Sequence, residues 1–175
     1  MLRKKTLPMP SEQQIILGID PGTRITGYGV VRYTSPHFEP LDFGCIRPPI
    51  HQDAAMRYLA LFNGVEKLLD RYSPDAVSVE TQFVYKNVQS AMKLGMARGV
   101  VLLAAARRGI QIYEYAPKKA KLAVVGNGSA SKEQVQRMVQ LLLKLPALPE
   151  PEDAADALAL AICHANSLSF KVAHV

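Results

Sequence analysis

Ile15-Ile16-Leu17-Gly18-Ile19 runs straight into Asp20-Pro21-Gly22, and that junction limits what the chain can become. Consecutive aliphatic residues suit a strand buried on both faces, which requires a sheet covered by other elements on each side. Asp-Pro-Gly stops such a strand and turns the chain back. Asp20 is therefore expected on rigid backbone beside an opening, either as a turn residue bonding its own loop or as one corner of a site.

The segments that follow complete such a sheet. Residues 25–33 and 41–47 have the apolar and β-branched content of strands and predict an antiparallel meander with the first. Residues 54–72 carry Leu59, Phe62, Val65, Leu68 and Leu69 near a 3.6-residue period, which reads as a helix with one face on the sheet. Ala76-Val77-Ser78-Val79-Glu80 is then a fourth strand, reached through a helical crossover and so parallel to the first. Like the first, it closes on a carboxylate. A helix over 86–108, a short fifth strand over 111–115 and a basic helix over 117–125 come next. A capping box, Ser131 with Gln134, opens a further helix to about 143, and an alanine- and leucine-rich helix over about 153–167 ends the pattern. A meander followed by alternating helices and strands indicates an α/β fold, a five-stranded mixed sheet with helices on both faces. Residues 1–13 read as a flexible basic tail, 14–168 as one domain and 169–175 as a C-terminal tail.

Composition narrows the class. With 175 residues the chain fits one domain and is too short for two lobes around a cleft. A formal charge of +6 favours a polyanionic partner, nucleic acid before membrane. Cys45 and Cys163 are too few for a disulfide framework and read as thiols in a reducing cytosol. Met1-Leu2-Arg3-Lys4-Lys5 is followed by Pro8 and Pro10 where a signal peptide needs an apolar core. No apolar run approaches the roughly 20 residues that cross a bilayer. A cytoplasmic protein without a membrane partner is expected.

The candidate chemistry lies in acids at element ends. Asp20 and Glu80 end strands that should be neighbours, and Asp153 and Asp156, at i and i+3, share one face of the last helix. Acids in a first helical turn also complement the dipole, which explains the helix pair singly. It does not explain why a basic chain gathers acids at three element ends, where repulsion disfavours them unless cations bind. Clustered carboxylates without a cysteine or histidine pattern favour magnesium or manganese over zinc. Two such ions about 4 Å apart can activate water and stabilise a leaving oxygen in phosphodiester hydrolysis. Lys118, Lys119, Lys121 and Lys132 form the nearest basic group. Lys132 sits in the first turn of its helix, the wrong end for a cation, which suggests an incoming phosphate, although a solvated basic face is the alternative. Phe83 and Tyr85, after Glu80, can stack on unpaired bases or fold onto the core. Ala91, Gly95 and Gly99, four apart on one helix, leave room for a close backbone, either the chain's own sheet or a second subunit.

These residues resemble the RuvC family of Holliday junction resolvases, within the ribonuclease H-like superfamily. The resemblance runs through residues 16–30, Val79-Glu80 with Phe83 and Lys86-Asn87, Leu94-Gly95-Met96-Ala97-Arg98-Gly99, Gly126-Asn127-Gly128 and residues 153–159. It implies a ribonuclease H-like fold. It also implies a magnesium-dependent endonuclease, with two ions per subunit and manganese as a substitute, that nicks two strands of like polarity in a four-way DNA junction during recombination and repair. Asp20, Glu80, Asp153 and Asp156 would be the metal-binding catalytic acids. Phe83 would stack at the junction, and Lys121 and Lys132 would face DNA near the scissile phosphate. The helix of Ala91, Gly95 and Gly99 would form a homodimer interface, and the RuvA-RuvB branch-migration complex would be a partner. The tail through Ser11 is an extension of the family pattern, and Thr81-Gln82 departs from it, which leaves sequence preference at the cut open. Two other readings are an actin- or sugar-kinase-like ATPase, which needs a second lobe and phosphate loop, and a junction-binding module without catalysis, against which all four acids speak.

Overall fold

The computed structural model describes residues 13–81 and 87–172. Five strands, β1 (Gln14–Asp20), β2 (Thr26–Thr34), β3 (His37–Ile46), β4 (Ala76–Glu80) and β5 (Gln111–Tyr115), form one sheet in the order β3-β2-β1-β4-β5. β1 pairs antiparallel with β2 and parallel with β4, β2 is antiparallel to β3, and β4 is parallel to β5. The helices are α1 (Ala54–Tyr72), α2 (Val88–Arg107), α3 (Pro117–Val125), α4 (Lys132–Leu143) and α5 (Glu152–Val172). The mixed sheet expected from the sequence is present, and the described residues form a single sheet rather than the two lobes of the kinase-like reading. β3 begins earlier than the expected residue 41. Pro40 lies within it, which an edge strand tolerates because one side of its backbone needs no ladder partner.

Strand parity decides which side chains meet which helices. Along β1, Leu17 and Ile19 enter a core with Val77 and Val79 of β4 and with Leu61, Val65, Ala97 and Val101 of α1 and α2. Ile16 faces the other way, into a core with Val31, Val139, Leu158 and Ile162 of β2, α4 and α5. Asp20 shares the parity of Ile16, and Glu80 that of Ser78, whose hydroxyl donates to the Leu160 carbonyl of α5 at 2.9 Å. Both acids therefore lie on the α5 side. A one-residue slip would exchange the two faces, and each fully buried aliphatic side chain contributes roughly 1.5–3 kcal/mol, so the register is firmly held.

α5 lies unusually close to the sheet. A Cβ on Gly18 would collide with the Ala157 carbonyl, one on Gly27 with the Asp153 carbonyl, and one on Gly29 with the Leu158 side chain. Only glycine admits this approach. On the opposite face Arg108 bridges Glu66 and Asp70 of α1, at 2.6 and 2.5 Å, and ties the end of α2 to α1.

Candidate active site

The site is built where three elements end. Asp20 closes β1 opposite Gly27. The parallel register sets Ile19 beside Val79, so Asp20 and Glu80 end adjacent strands. The turn after Asp20 is held from within, where the Gly22 amide donates to Thr26 Oγ1 at 3.2 Å, and from α1, where the Arg57 guanidinium donates to the Thr23 carbonyl. Proline and glycine thus shape the turn while the Asp20 carboxylate is left for the site.

Asp20, Glu80 and Asp156 line a hollow of about 260 Å³ together with Lys121 and Lys132. Asp153 is outside that lining. It stands at the start of α5 against Gly27, close enough for its charge to act on Asp20. As the side chains stand, no three acidic, histidine or cysteine groups among the described residues close on a common point as ligands.

Electrostatics reveal the strain of this gathering. Burial, then the charges of Glu80, Asp156 and Asp153, push Asp20 up from the usual 3.8 to about 8, and Lys132 offsets only part of this. Burial and Asp156 push Glu80 up to about 7 against the lowering effect of Lys132 and Lys121. Burial also raises Asp156, with Lys132 opposing. For Lys132, burial works against the charge, but Asp156, Glu152 and Asp153 outweigh it and the net shift is upward. Carboxylates this close resist ionising together without added positive charge. All the acidic donors are oxygens, and the hollow has room for an ion and its water, so the residues fit a hard divalent cation.

The two lysines are held differently. Lys121 Nζ donates to the Ala130 carbonyl at 2.7 Å, just before the Ser131 cap of α4. The expected capping box of Ser131 and Gln134 is formed, and Lys132 follows it. Lys132 Nζ lies 3.2 Å from Glu152 and 3.6 Å from Asp156, so its odd position at a helix start is answered first by carboxylates of α5. Lys118 and Lys119 are exposed, and Lys119 lies 5.1 Å from the centre of the Tyr115 ring; neither lines the hollow. Phe83 and Tyr85 lie outside the described residues. Ala91 is half-buried, whereas Gly95 and Gly99 are exposed with nothing from the described residues within 4 Å of a Cβ position. The chain's own sheet is therefore not the neighbour that this stripe accommodates.

Sequence reasoning passed over Gly18, Gly27 and Gly29, which seat α5, and Ser78, which bonds it. Their signal was available, because glycines and a serine inside apolar strand patterns mark a close backbone approach or a buried partner. Glu152 was passed over as well.

The family model described as Crossover junction endodeoxyribonuclease RuvC matches residues 16–164. A crossover junction endodeoxyribonuclease RuvC of Protochlamydia amoebophila (strain UWE25) is 67% identical over 156 residues, covering 89% of this chain and 93% of that protein. One of Ruminiclostridium cellulolyticum is 52% identical over 153 residues, covering 87% and 92%. Among solved structures, Thermus thermophilus RuvC in complex with a Holliday junction substrate is similar with a TM-score of 0.86 and 36% identity, covering 91% of this chain and 97% of that one.

Proposed function

Because the chain belongs to the RuvC family of crossover junction endodeoxyribonucleases, we propose that it resolves Holliday junctions by paired, magnesium-dependent nicks in two strands of like polarity, with Asp20, Glu80, Asp153 and Asp156 as catalytic acids. The observation that carries this is the convergence of Asp20, Glu80 and Asp156, from β1, β4 and α5, on one hollow with Lys121 and Lys132, where burial and mutual charge push Asp20 and Glu80 upward. Such a site is poised to exchange protons for divalent cations. The four acids would hold magnesium, two ions per subunit with manganese as a substitute, and the bound metal supplies an activated water and a counter-charge for the leaving oxygen.

The chain's own residues do the rest. Lys121, anchored on the Ala130 carbonyl, and Lys132, at the start of α4, offer positive charge to the DNA backbone beside the acids, with Lys118 and Lys119 extending that face. Phe83 and Tyr85 stack on bases at the junction. The exposed stripe of α2, Gly95 and Gly99 with Val88, Met92, Met96 and Leu103, meets the same stripe of a second copy, so that two sites address two symmetry-related strands. The nuclease domain, expected over 14–168, includes the end of α5 at Val172, and the RuvA-RuvB branch-migration complex is a partner in the cytoplasm. No helix among the described residues is long and apolar enough to cross a membrane.

Cleavage of a synthetic four-way junction with and without magnesium tests the reading. Wild type should cut only with the metal, and Asp20→Asn should bind the junction yet lose cleavage by at least about 10³-fold, the scale expected when a residue on which the chemical step depends is removed. Wild-type rates in Asp20→Asn, or equal cutting without divalent cation, would overturn it.

A further inference from the structure

Lys132 is the first residue of α4, where its charge meets the positive end of the helix dipole. Two carboxylates of α5 set its position. Glu152 Oε2 lies 3.2 Å from Nζ and Asp156 Oδ2 lies 3.6 Å away. The backbones on both sides are held, α4 by the Ser131–Gln134 capping box and the start of α5 by its contact with Gly27. What remains soft is the lysine side chain, shared between one acid that lines the hollow and one that does not. An ammonium and a divalent cation compete for the same carboxylate oxygens, so every increment of Lys132 on Asp156 is an obstacle to a metal there.

We propose that Glu152 is a positioning residue that holds the Lys132 ammonium at the mouth of the acid hollow and so keeps Asp156 available to a divalent cation. This rests on the metal-site reading of the hollow. Lys132 and Glu152 are each about half exposed, at 55% and 50%, and exposed ion pairs bias one arrangement over another by about two- to five-fold. That is the size of effect expected here, a tuning of metal affinity rather than its creation. An acid placed here merely to complement the dipole of α5 would add a little stability and leave metal affinity to the other residues.

The test is magnesium binding to the full chain without DNA, by titration calorimetry, in wild type, Glu152→Gln, Lys132→Met and the double variant. Glu152→Gln should weaken magnesium binding about two- to five-fold, because the released lysine settles on Asp156. In the Lys132→Met background the same change should leave the affinity where it was. Equal weakening in both backgrounds would overturn the proposal, since Glu152 would then act only as a negative charge near the ion. No weakening in either would overturn it as well. If wild type bound magnesium and only the Glu152 effect were missing, the metal site would stand without this role, whereas a wild type that took up no magnesium would remove the metal site itself.

Discussion

Asp20 keeps its proton to about pH 8 because it is buried and faces three other carboxylates, and Glu80 keeps its own to about pH 7. In the unfolded chain both ionise near their usual values of 3.8 and 4.5. Between those limits the folded state binds more protons than the unfolded one, so the stability of cation-free protein falls as pH rises from about 4 to about 8. Melting followed by calorimetry in chelator should show a decrease of at least about 5 °C between pH 5 and pH 8, where each kcal/mol is worth about 2–4 °C for a chain of this length. Magnesium should restore most of that loss at pH 8, because it takes the place of the protons. A flat pH profile in chelator would mean that burial and mutual charge do not raise these acids as described.

At the scale of elements, the site depends on how closely α5 can lie against β1 and β2. Gly27 meets backbone atoms of Asp153, which cannot swing aside as a flexible side chain would. Gly27→Ala should therefore push the start of α5 away from the sheet, lower the melting temperature and reduce junction cleavage at least about tenfold, as small misplacements of catalytic groups do. Gly95→Ala is the contrast, because its Cβ would enter open space within the chain. There the gain in helix propensity of up to about 1 kcal/mol should raise the melting temperature of the isolated subunit. Equal loss of cleavage and stability in the two variants would show that the close seat of α5 is not what places Asp153.

For the whole molecule, α2 presents an apolar face that the described residues leave uncovered. Val88, Met92, Met96 and Leu103 are each more than half exposed on that helix, and an apolar stripe beside exposed glycines suits a twofold contact of the same surface with itself. Leu103→Glu should shift the sedimentation of the protein from dimer toward monomer while far-UV circular dichroism stays unchanged. The variant should then lose the pairing of its two nicks before it loses the ability to nick. A monomeric wild type at concentrations that sustain paired nicking would rule out this interface.

The sequence by itself determined the strand ends and their acids, the capping box before Lys132 and the membership of the chain in a nuclease family. Each of these is a local pattern, readable from spacing and residue type along one segment. Tertiary structure alone decided that Gly18, Gly27 and Gly29 admit α5, that Ser78 bonds it and that Lys132 lies between Glu152 and Asp156. Those relations join residues far apart in the chain, and no periodicity along one segment encodes the distance between two. The opening strand shows the division: Ile15 to Asp20 announces a buried strand ending in a carboxylate, but the carboxyl's elevated pKa comes first from its burial in the assembled fold and then from acids delivered by β4 and α5.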